Sequence, residues 1–220
     1  NTTGFQRTML IATDGYINTS KGIVKIPTIY LEEEAAKKIN ENDYVEYSLD
    51  RLGVPLIEID TDASIKDSEH AKEVSSIIGM ILRSTEKVKR GIGSIRQDVN
   101  LSILGKGRIE IKGFQDLRYM PKVIDSEVLR LEKLKDIKSE VRKANVDGTT
   151  EYLRPLPGAA RLYPETDIAS IRVTKERLNA IKLPELIVEK ALEIEKKYSI
   201  SPEQSHNLVS GATLIVYKRP

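Results

Sequence analysis

Residues 93–112 concentrate polar side chains of the kinds that bind phosphate groups and metal ions. Read as two short strands, the segment alternates polar side chains with aliphatic ones, so the polar ones share one face. These polar side chains are Arg96, Asp98, Asn100 and Ser102 in the first strand and Arg108, Glu110 and Lys112 in the second. Gly105-Lys106-Gly107 supplies a turn that tolerates positive φ. The sequence therefore predicts a hairpin with carboxylates, an amide and cations on one face.

The register of the hairpin decides which of these side chains meet. A turn centred on Lys106 places Ser102 opposite Glu110 and Asn100 opposite Lys112, with Cβ atoms about 5 Å apart. Such a cluster can reach one phosphate or one metal ion. A solvated hairpin face with cross-strand ion pairs accounts for the same pattern, and the pattern alone favours that simpler interpretation.

Acidic residues before the hairpin add two further candidates. Glu32, Glu33 and Glu34 open an apparent helix, EEEAAKKI, where carboxylates favour the positive end of the helix dipole. Glu58 interrupts the apolar run VPLIEI, and an acid buried there without a cation partner costs several kcal/mol. Magnesium prefers oxygen ligands and is one such partner. A buried salt bridge explains Glu58 equally well.

Composition limits the class of protein. The 220 residues contain 35 basic and 33 acidic side chains, and a formal charge of +2 excludes a nucleic-acid binder that relies on one-sided charge. Zero cysteines exclude disulfides and thiolate chemistry within this chain. No apolar run reaches the roughly 18 residues that span a bilayer, so we expect a cytoplasmic location and no membrane partner. No Walker-type phosphate loop is present, and His70 and His206 are expected to be solvated.

The hydrophobic pattern predicts an α+β fold: a mixed, largely antiparallel sheet cradle with covering helices, followed by a small helical module. Strands are predicted at residues 5–12, 22–31 and 54–59, with a turn at DGYINTSKG between the first two. Glycine and proline in residues 154–167 predict an ordered loop.

Helix signals define the second half of the chain. Helices are predicted from Asp67 or Ser68 to about Lys87, from Pro121 to Asn145, over residues 174–178 and over residues 184–198. We expect a catalytic cradle domain at residues 1–170 and the start of a helical domain at residues 171–220.

Six runs, taken together and in order, resemble the B/E family of glutamyl-tRNA(Gln) amidotransferase subunits, and more closely the archaeal E type. The matching runs are NTTGFQRTMLIA, IYLEEEAAKK, YSLDRLGVPLIEI, KVKRGIGSIRQDVNLSI, RIEIKGFQDL and RPLPGAARLYPETDI. The resemblance extends to about Tyr198 and is weak beyond that residue. No single run suffices, but the combination is highly specific.

The resemblance implies a ligase that forms a C–N bond, of the glutaminyl-tRNA synthase (glutamine-hydrolysing) type. Such a protein uses ATP and Mg²⁺ to phosphorylate the γ-carboxylate of glutamate carried on tRNA(Gln), and ammonia then displaces phosphate to give Gln-tRNA(Gln). The implied partners are Glu-tRNA(Gln) and an asparaginase-like amidase subunit that supplies the ammonia. A homodimer within a heterotetramer is left open. Because the carboxylate and the triphosphate are both anionic, cations must bring them together.

Matching motifs carry candidate roles over to this sequence. The resemblance implies magnesium carboxylates at Glu33 and Glu58. It implies an opposing wall that holds the nucleotide or the glutamyl end, formed by Asp98, Asn100, Glu110 and Lys112. It also implies cations for the phosphates or the transition state at Arg96 and Arg161. The expected catalytic residues are Glu33, Glu58, Asp98 and Lys112, and the expected binding residues are Arg96, Asn100, Glu110 and Arg161.

Three departures from the family pattern leave open whether this chain is active alone. The upstream acidic and histidine-bearing metal motif of the family would precede Asn1. An insertion domain resembling one in bacterial aspartyl-tRNA synthetases is expected after a helix like Val123 to Glu140, but the sequence here passes directly into VRKANVDGTT. The carboxyl-terminal tail domain that grips tRNA is also missing, so weak RNA binding is expected.

Two other functions compete with the amidotransferase cradle. A truncated, non-catalytic module would bind tRNA or the amidase subunit and show no magnesium-dependent nucleotide binding. An unrelated carboxylate-activating ligase would accept a free amino acid in place of aminoacyl-tRNA.

Overall fold

A computed structural model describes most of the chain. The described residues are 7–41, 44–89, 91, 93–114, 116–134, 138–156, 169 and 171–210. The chain forms two compact units, and the boundary between them lies between Val74 and Ser75. The combination of separate sheets and helices confirms the predicted α+β class. The domain boundary predicted near residue 170 stays a prediction.

The first unit is built mainly from strands. They are β1 (Thr8–Thr19), β2 (Gly22–Glu33), β3 (Lys37–Glu41), β4 (Val45–Ser48) and β5 (Pro55–Ile59). An antiparallel sheet has the order β1-β2-β5, and β3 pairs with β4 in a separate antiparallel sheet. Ile17, Val24 and Ile26 are buried on one face of the larger sheet. Alternation along β1 and β2 therefore fixes which side chains face this core.

Two local predictions in this unit are wrong. The apparent helix EEEAAKKI contains the start of β3, because Lys37 and Lys38 pair with Ser48 and Tyr47 across the small sheet. Strand pairing here overrides the local helix signal. The predicted turn DGYINTSKG is mostly strand, since β1 continues to Thr19 and only two residues separate it from β2. Burial of the paired residues on both strands favours this longer hairpin.

Helix α1 (Ser68–Ser84) begins at the predicted residue. The carboxylate of Asp67 caps it, accepting a hydrogen bond from the backbone N–H of His70 at 2.9 Å. The helix ends three residues before the predicted Lys87, and Glu86 then adopts a positive φ of 58°. In the last turn the hydroxyl of Ser84 donates to the carbonyl of Met80, four residues earlier.

His70 is buried, so the prediction that it is solvated is wrong. Its Nδ1 accepts a hydrogen bond from the backbone N–H of Lys66 at 3.1 Å. Nε2 must then donate, and its partner at 2.8 Å is the hydroxyl of Thr19. Both ring nitrogens are satisfied by local polar groups, which explains how a histidine is accommodated with 1% exposure. His206 is exposed, as predicted.

The second unit contains a four-stranded mixed sheet and most of the helices. Its strands are β6 (Val99–Leu101), β7 (Ile109–Lys112), β8 (Glu140–Ala144) and β9 (Thr150–Pro155), in the order β6-β7-β8-β9. The β7–β8 pair is parallel, and the other two pairs are antiparallel. A 3₁₀ turn, Leu117–Tyr119, leads into α2 (Met120–Lys133). Fully buried aliphatic side chains of β7 and α2 form the core, including Ile109, Ile111, Met120, Val123 and Leu131.

The helix predicted to continue to Asn145 is too long. Helix α2 ends at Lys133, and Glu140–Ala144 forms strand β8. The Nζ of Lys106, in the hairpin turn, donates to the carbonyls of Leu131 and Leu134. These carbonyl groups at the end of the helix thereby gain hydrogen-bond partners. Val141 is fully buried in β8, and alternation of its neighbours suits a strand rather than a charged helix.

Three helices follow in the described residues; the first two lie close to the predicted positions, and the third was not predicted. They are α3 (Lys175–Asn179), α4 (Ile187–Tyr198) and α5 (Pro202–Ser210). Thr174 caps α3 by accepting from the backbone N–H of Arg177. The first backbone N–H of α4 donates to the buried hydroxyl of Ser84 at 3.0 Å, which joins α4 to the end of α1. Across the described ranges, no helix combines the length and apolarity needed to cross a membrane.

Candidate active site

The β6–β7 hairpin presents the predicted polar face. Asn100 lies opposite Glu110, whereas the sequence predicted Ser102 opposite Glu110 and Asn100 opposite Lys112. The register is thus shifted by two residues because the turn forms earlier: the backbone N–H of Lys106 donates to the Ile103 carbonyl at 3.0 Å. A shift by two leaves each side chain on its predicted face. The predicted clustering is therefore retained although the predicted partners are not.

Lys112 is the centre of this cluster. Its Nζ lies 2.5 Å from Oδ2 of Asp98 and 2.7 Å from Oε1 of Glu110. Ile109 and Ile111, which alternate with these polar residues in β7, are completely buried and hold the polar side chains on the opposite face. The side chain of Lys112 retains 35% exposure, so a ligand can reach its charged end.

The carboxylates keep Lys112 charged. Burial lowers the pKa of the Lys112 amine, but the hydrogen bonds to Asp98 and Glu110 and the charges of both carboxylates outweigh that effect. The pKa therefore rises above its ordinary value of 10.5. A permanently charged ammonium between two carboxylates can orient an anionic group, and it cannot act as a base near neutral pH.

Of the two arginines predicted to contact phosphate, the structure describes only one. Arg96 is exposed at the start of the hairpin, two residues before Asp98. Arg161 lies outside the described residues, so its predicted role stays a prediction.

Strand register places Glu33 and Glu58 on opposite faces of the first unit's larger sheet. Glu33 pairs with Pro55, and Glu58 pairs with Tyr30. Because paired residues share a face and side chains alternate along a strand, Glu58 shares its face with Tyr30 and Glu32. The side chain of Glu33 lies on the opposite face of the sheet. The sheet thus does not direct the two carboxylates towards one ion, and the role predicted for each stays a prediction.

Glu33 is held by a neighbouring arginine. The Nε of Arg7 lies 2.5 Å from Oε2 of Glu33, and the backbone N–H of Glu33 donates to the Arg7 carbonyl at 3.0 Å. The hydrogen bond from Arg7 holds the pKa of Glu33 below its ordinary value of 4.5. The carboxylate of Glu34 forms a separate ion pair, with an Nη atom of Arg51 3.0 Å from its Oε2. The carboxylate at position 33 is therefore ionised and oriented at neutral pH.

Glu58 is exposed rather than buried, so the argument that a buried acid must find a cation does not apply to it. The apolar run VPLIEI is an outer strand of the sheet, and Ile57 is also 51% exposed. Within the described part of the chain, no group of three or more histidine and acidic side chains is arranged to hold a metal ion.

A buried ionic network was missed by the sequence analysis. Glu127 of α2 is 1% exposed and accepts hydrogen bonds from Arg130 at 2.6 Å and from the hydroxyl of Thr150 at 2.6 Å. Arg142 of β8 lies 3.6 Å from Glu127 and 2.8 Å from Glu140. The network ties α2 to β8 and β9 and thereby supports the sheet from the side opposite the polar face. Only recognition of β8 as a strand could have revealed it.

The fold and the hairpin define an α+β protein whose second sheet presents a partly exposed cluster of one ammonium group and two carboxylates. A family model described as the GatB/GatE catalytic domain matches residues 1–179. The chain therefore belongs to the GatB/GatE catalytic domain family, and the resemblance found in the sequence is confirmed.

Curated relatives bear the name of the E-type subunit of glutamyl-tRNA(Gln) amidotransferase. The relative from Archaeoglobus fulgidus is 33% identical over 89% of this chain and 54% of its own length. That from Methanocaldococcus jannaschii is 53% identical over 67% of this chain and 24% of its own length. That from Pyrococcus abyssi is 48% identical over 84% of this chain and 30% of its own length. The chain thus spans about half the length of these relatives, or less.

The Archaeoglobus fulgidus alignment covers 329 residues, although this chain has 220. The relative therefore contains residues within the aligned region that have no counterpart here. This difference agrees with the expectation that E-type relatives carry an insertion that is missing from this sequence.

Proposed function

We propose that this chain forms the phosphoryl-transfer part of a tRNA-dependent amidotransferase that converts Glu-tRNA(Gln) to Gln-tRNA(Gln). The observation that carries the proposal is the position of Lys112 between Asp98 and Glu110 on the accessible face of the hairpin. These residues occur in the motifs that resemble the family, and the relatives' names supply the tRNA substrate.

The proposed reaction has two steps. The γ-carboxylate of the glutamyl group attacks the γ-phosphorus of ATP, which forms an acyl phosphate and releases ADP. Ammonia then attacks the activated carbonyl carbon, which forms the amide and releases inorganic phosphate. The first step joins two anions, so its barrier depends on cations that neutralise and align them.

The residues of the hairpin would perform the positioning. Lys112 remains charged and orients a phosphate oxygen, while Asp98 and Glu110 hold its ammonium in place. Asn100, opposite Glu110, can donate from its amide to the nucleotide or to the glutamyl end. Arg96 and Arg161 are proposed as additional phosphate contacts.

Magnesium is proposed as the second cation, and when bound it would neutralise phosphate charge and fix the triphosphate geometry. Glu33 and Glu58 offer the hard oxygen ligands that this ion prefers. Because they lie on opposite faces of their sheet, the proposal assigns each carboxylate to magnesium independently rather than as a pair on one ion. Glu33 is the stronger candidate, since Arg7 keeps it ionised and oriented.

The partners follow from the chemistry. Ammonia must be supplied by a separate amidase subunit, which the resemblance describes as asparaginase-like, and the acceptor is glutamate carried on tRNA. The competing function is a non-catalytic module that docks tRNA or the amidase. Its distinguishing property is the lack of magnesium-dependent nucleotide binding.

Calorimetric titration with ATP, with and without magnesium, tests the proposal. We expect magnesium-dependent binding that weakens about tenfold in Glu33→Gln, because a magnesium carboxylate is lost. Glu58→Gln tests the second carboxylate separately, and Glu193→Gln on the exposed side of α4 is the matched control. Circular dichroism spectra establish that each variant is folded.

Either of two outcomes would contradict the proposal. A folded wild-type chain that binds no nucleotide in magnesium would support the docking module. If the Glu33→Gln and Lys112→Gln variants, assayed with the amidase subunit and Glu-tRNA(Gln), form the amide at the wild-type rate, neither residue belongs to the site.

A further inference from the structure

Strand β6 is weakly packed, although it presents Asn100 and directly follows Asp98. It is an edge strand of three residues, each of which pairs with a residue of β7. No side chain from residue 98 to residue 108, all of which the structure describes, is buried. Segments with few buried contacts open readily from a folded protein. The position of β6 must therefore depend on contacts other than its own packing.

Strand β7, by contrast, is held firmly. It pairs with β6 on one side and with β8 on the other, and the side chains of Ile109 and Ile111 are completely buried. Glu110 and Lys112 are thus fixed by the core beneath them. The geometry of the candidate site varies chiefly with β6, which brings Asp98 to 2.5 Å from Lys112.

The connection between these two strands is attached to helix α2 through Lys106. Residues 102–108 form the connection, and the Nζ of Lys106 donates to the carbonyl of Leu131 and, at 2.7 Å, to that of Leu134. A cation is favourable at this position, because the last carbonyls of a helix lack partners within it and carry partial negative charge. Leu131 is completely buried, so the contact joins an exposed connection to a packed element.

We propose that Lys106 is a positioning residue that holds β6 against β7 and thereby keeps Asp98 in contact with Lys112. The chain around β6 is then held on both sides, by Lys106 after the strand and by the Asp98–Lys112 ion pair before it. That ion pair is weak support by itself, since its side chains are 42% and 35% exposed. The consequence for catalysis rests on the proposed function, whereas the position of the strand does not.

Amide hydrogen exchange of the full chain, resolved by residue with NMR, tests the position of β6. In Lys106→Met we expect the protected amides of β6 to exchange about tenfold faster than in wild type, because hydrogen bonds from a charged donor are lost. Lys106→Arg keeps a charged donor and should restore most of the protection. Lys133→Met removes an exposed lysine from the last turn of the same helix and should exchange as wild type does.

Exchange elsewhere in the second unit separates positioning from a general loss of stability. If Lys106 positions β6, the amides of α2 and β8 keep their wild-type exchange rates in Lys106→Met. Equal acceleration across the whole unit, or wild-type exchange in β6, would overturn the proposal.

Amidation of Glu-tRNA(Gln) in the presence of the amidase subunit measures the consequence for the proposed reaction. We expect kcat of Lys106→Met to fall about tenfold while KM for the tRNA changes little, because displaced groups slow the chemical step. Lys106→Arg should recover most of this rate. A wild-type kcat in Lys106→Met, despite faster exchange in β6, would overturn the link to catalysis. If the wild-type chain does not amidate, the proposed function fails and the exchange result is unaffected.

Discussion

Single residues decide the charge state of the candidate site. Lys112 and Glu33 carry their ordinary charges at neutral pH, and their partners further favour the charged forms: two carboxylates contact Lys112, and Arg7 donates to Glu33. Burial opposes the charged form of both side chains, and the hydrogen bonds and charges of their specific partners outweigh it. The contribution of such a residue can be tested with a substitution of similar shape that removes its charge, such as glutamate to glutamine.

The pairing of Glu33 with Arg7 predicts a defined pH dependence. Since the folded pKa of Glu33 lies below its ordinary value of 4.5, the pairing stabilises the fold above that value and is lost as pH falls through the folded pKa. We expect the melting temperature of Glu33→Gln to fall less than that of wild type over this acidic range. Thermal unfolding followed at a series of pH values measures the difference, and parallel curves for the two proteins would contradict the expectation.

At the scale of elements, helix α2 supports the sheet of the second unit on the side opposite the polar face. The network around Glu127 joins α2 to β8 and β9. Lys106 connects the hairpin turn to the end of α2. The polar face is therefore supported on a layer whose own charges are largely satisfied internally.

Removal of the buried Glu127 carboxylate should destabilise the second unit strongly. Glu127→Ala removes the buried acceptor of Arg130 and Thr150, while Glu140 still pairs with Arg130 and Arg142, and loss of hydrogen bonds to a buried charged group costs about 1.5–3 kcal/mol. Glu132→Ala, on the exposed side of the same helix, is the control and should have little effect. Urea unfolding measures both free energies. Equal stability of the two variants would show that the network contributes nothing.

The alternation of polar and apolar residues correctly predicted which face of the hairpin each side chain occupies, whereas the predicted pairing partners were wrong. Alternation identified the faces of Asp98, Asn100, Glu110 and Lys112 because it is a local property of extended chain. The register depended on where the turn closes, and an earlier turn shifted it by two residues.

Other errors arose where packing between distant elements overrides local pattern. Strand β8 resembles a charged helix until β7 and β9 pair with it, so the partners of Glu127 in β8 and β9, Arg142 and Thr150, could not be found. The burial of His70 depends on Thr19, which is 51 residues away in the sequence. The opposite orientation of Glu33 and Glu58 required the pairing of β2 with β5. Motif resemblance identified the family without any of these contacts.

At the scale of the whole molecule, the chain is close to electroneutral and spans about half the length of its relatives, or less. Its 35 basic and 33 acidic residues provide little net attraction for a polyanion. The proposed binding of tRNA would therefore depend on local groups rather than on the net charge of the chain.

Binding of tRNA by this chain alone should accordingly be weak. We expect a dissociation constant in the range of non-specific binding, about 10⁻⁶ to 10⁻⁴ M at physiological salt. Fluorescence anisotropy with tRNA(Gln) and an unrelated tRNA, over a series of salt concentrations, measures affinity and selectivity together. Nanomolar, selective binding would show that this chain already contains the main tRNA-binding surface.

The contact between Ser84 and the first residue of α4 closes a loop of chain 103 residues long. The entropic free-energy cost of closing a loop rises only with the logarithm of its length, by about 0.6 kcal/mol for each doubling. The insertion that the family resemblance places after α2 lies inside this loop. A chain could therefore gain or lose a whole domain there while the junction of α1 and α4 keeps nearly the same stability, which gives evolution a permissive site for exchanging a domain.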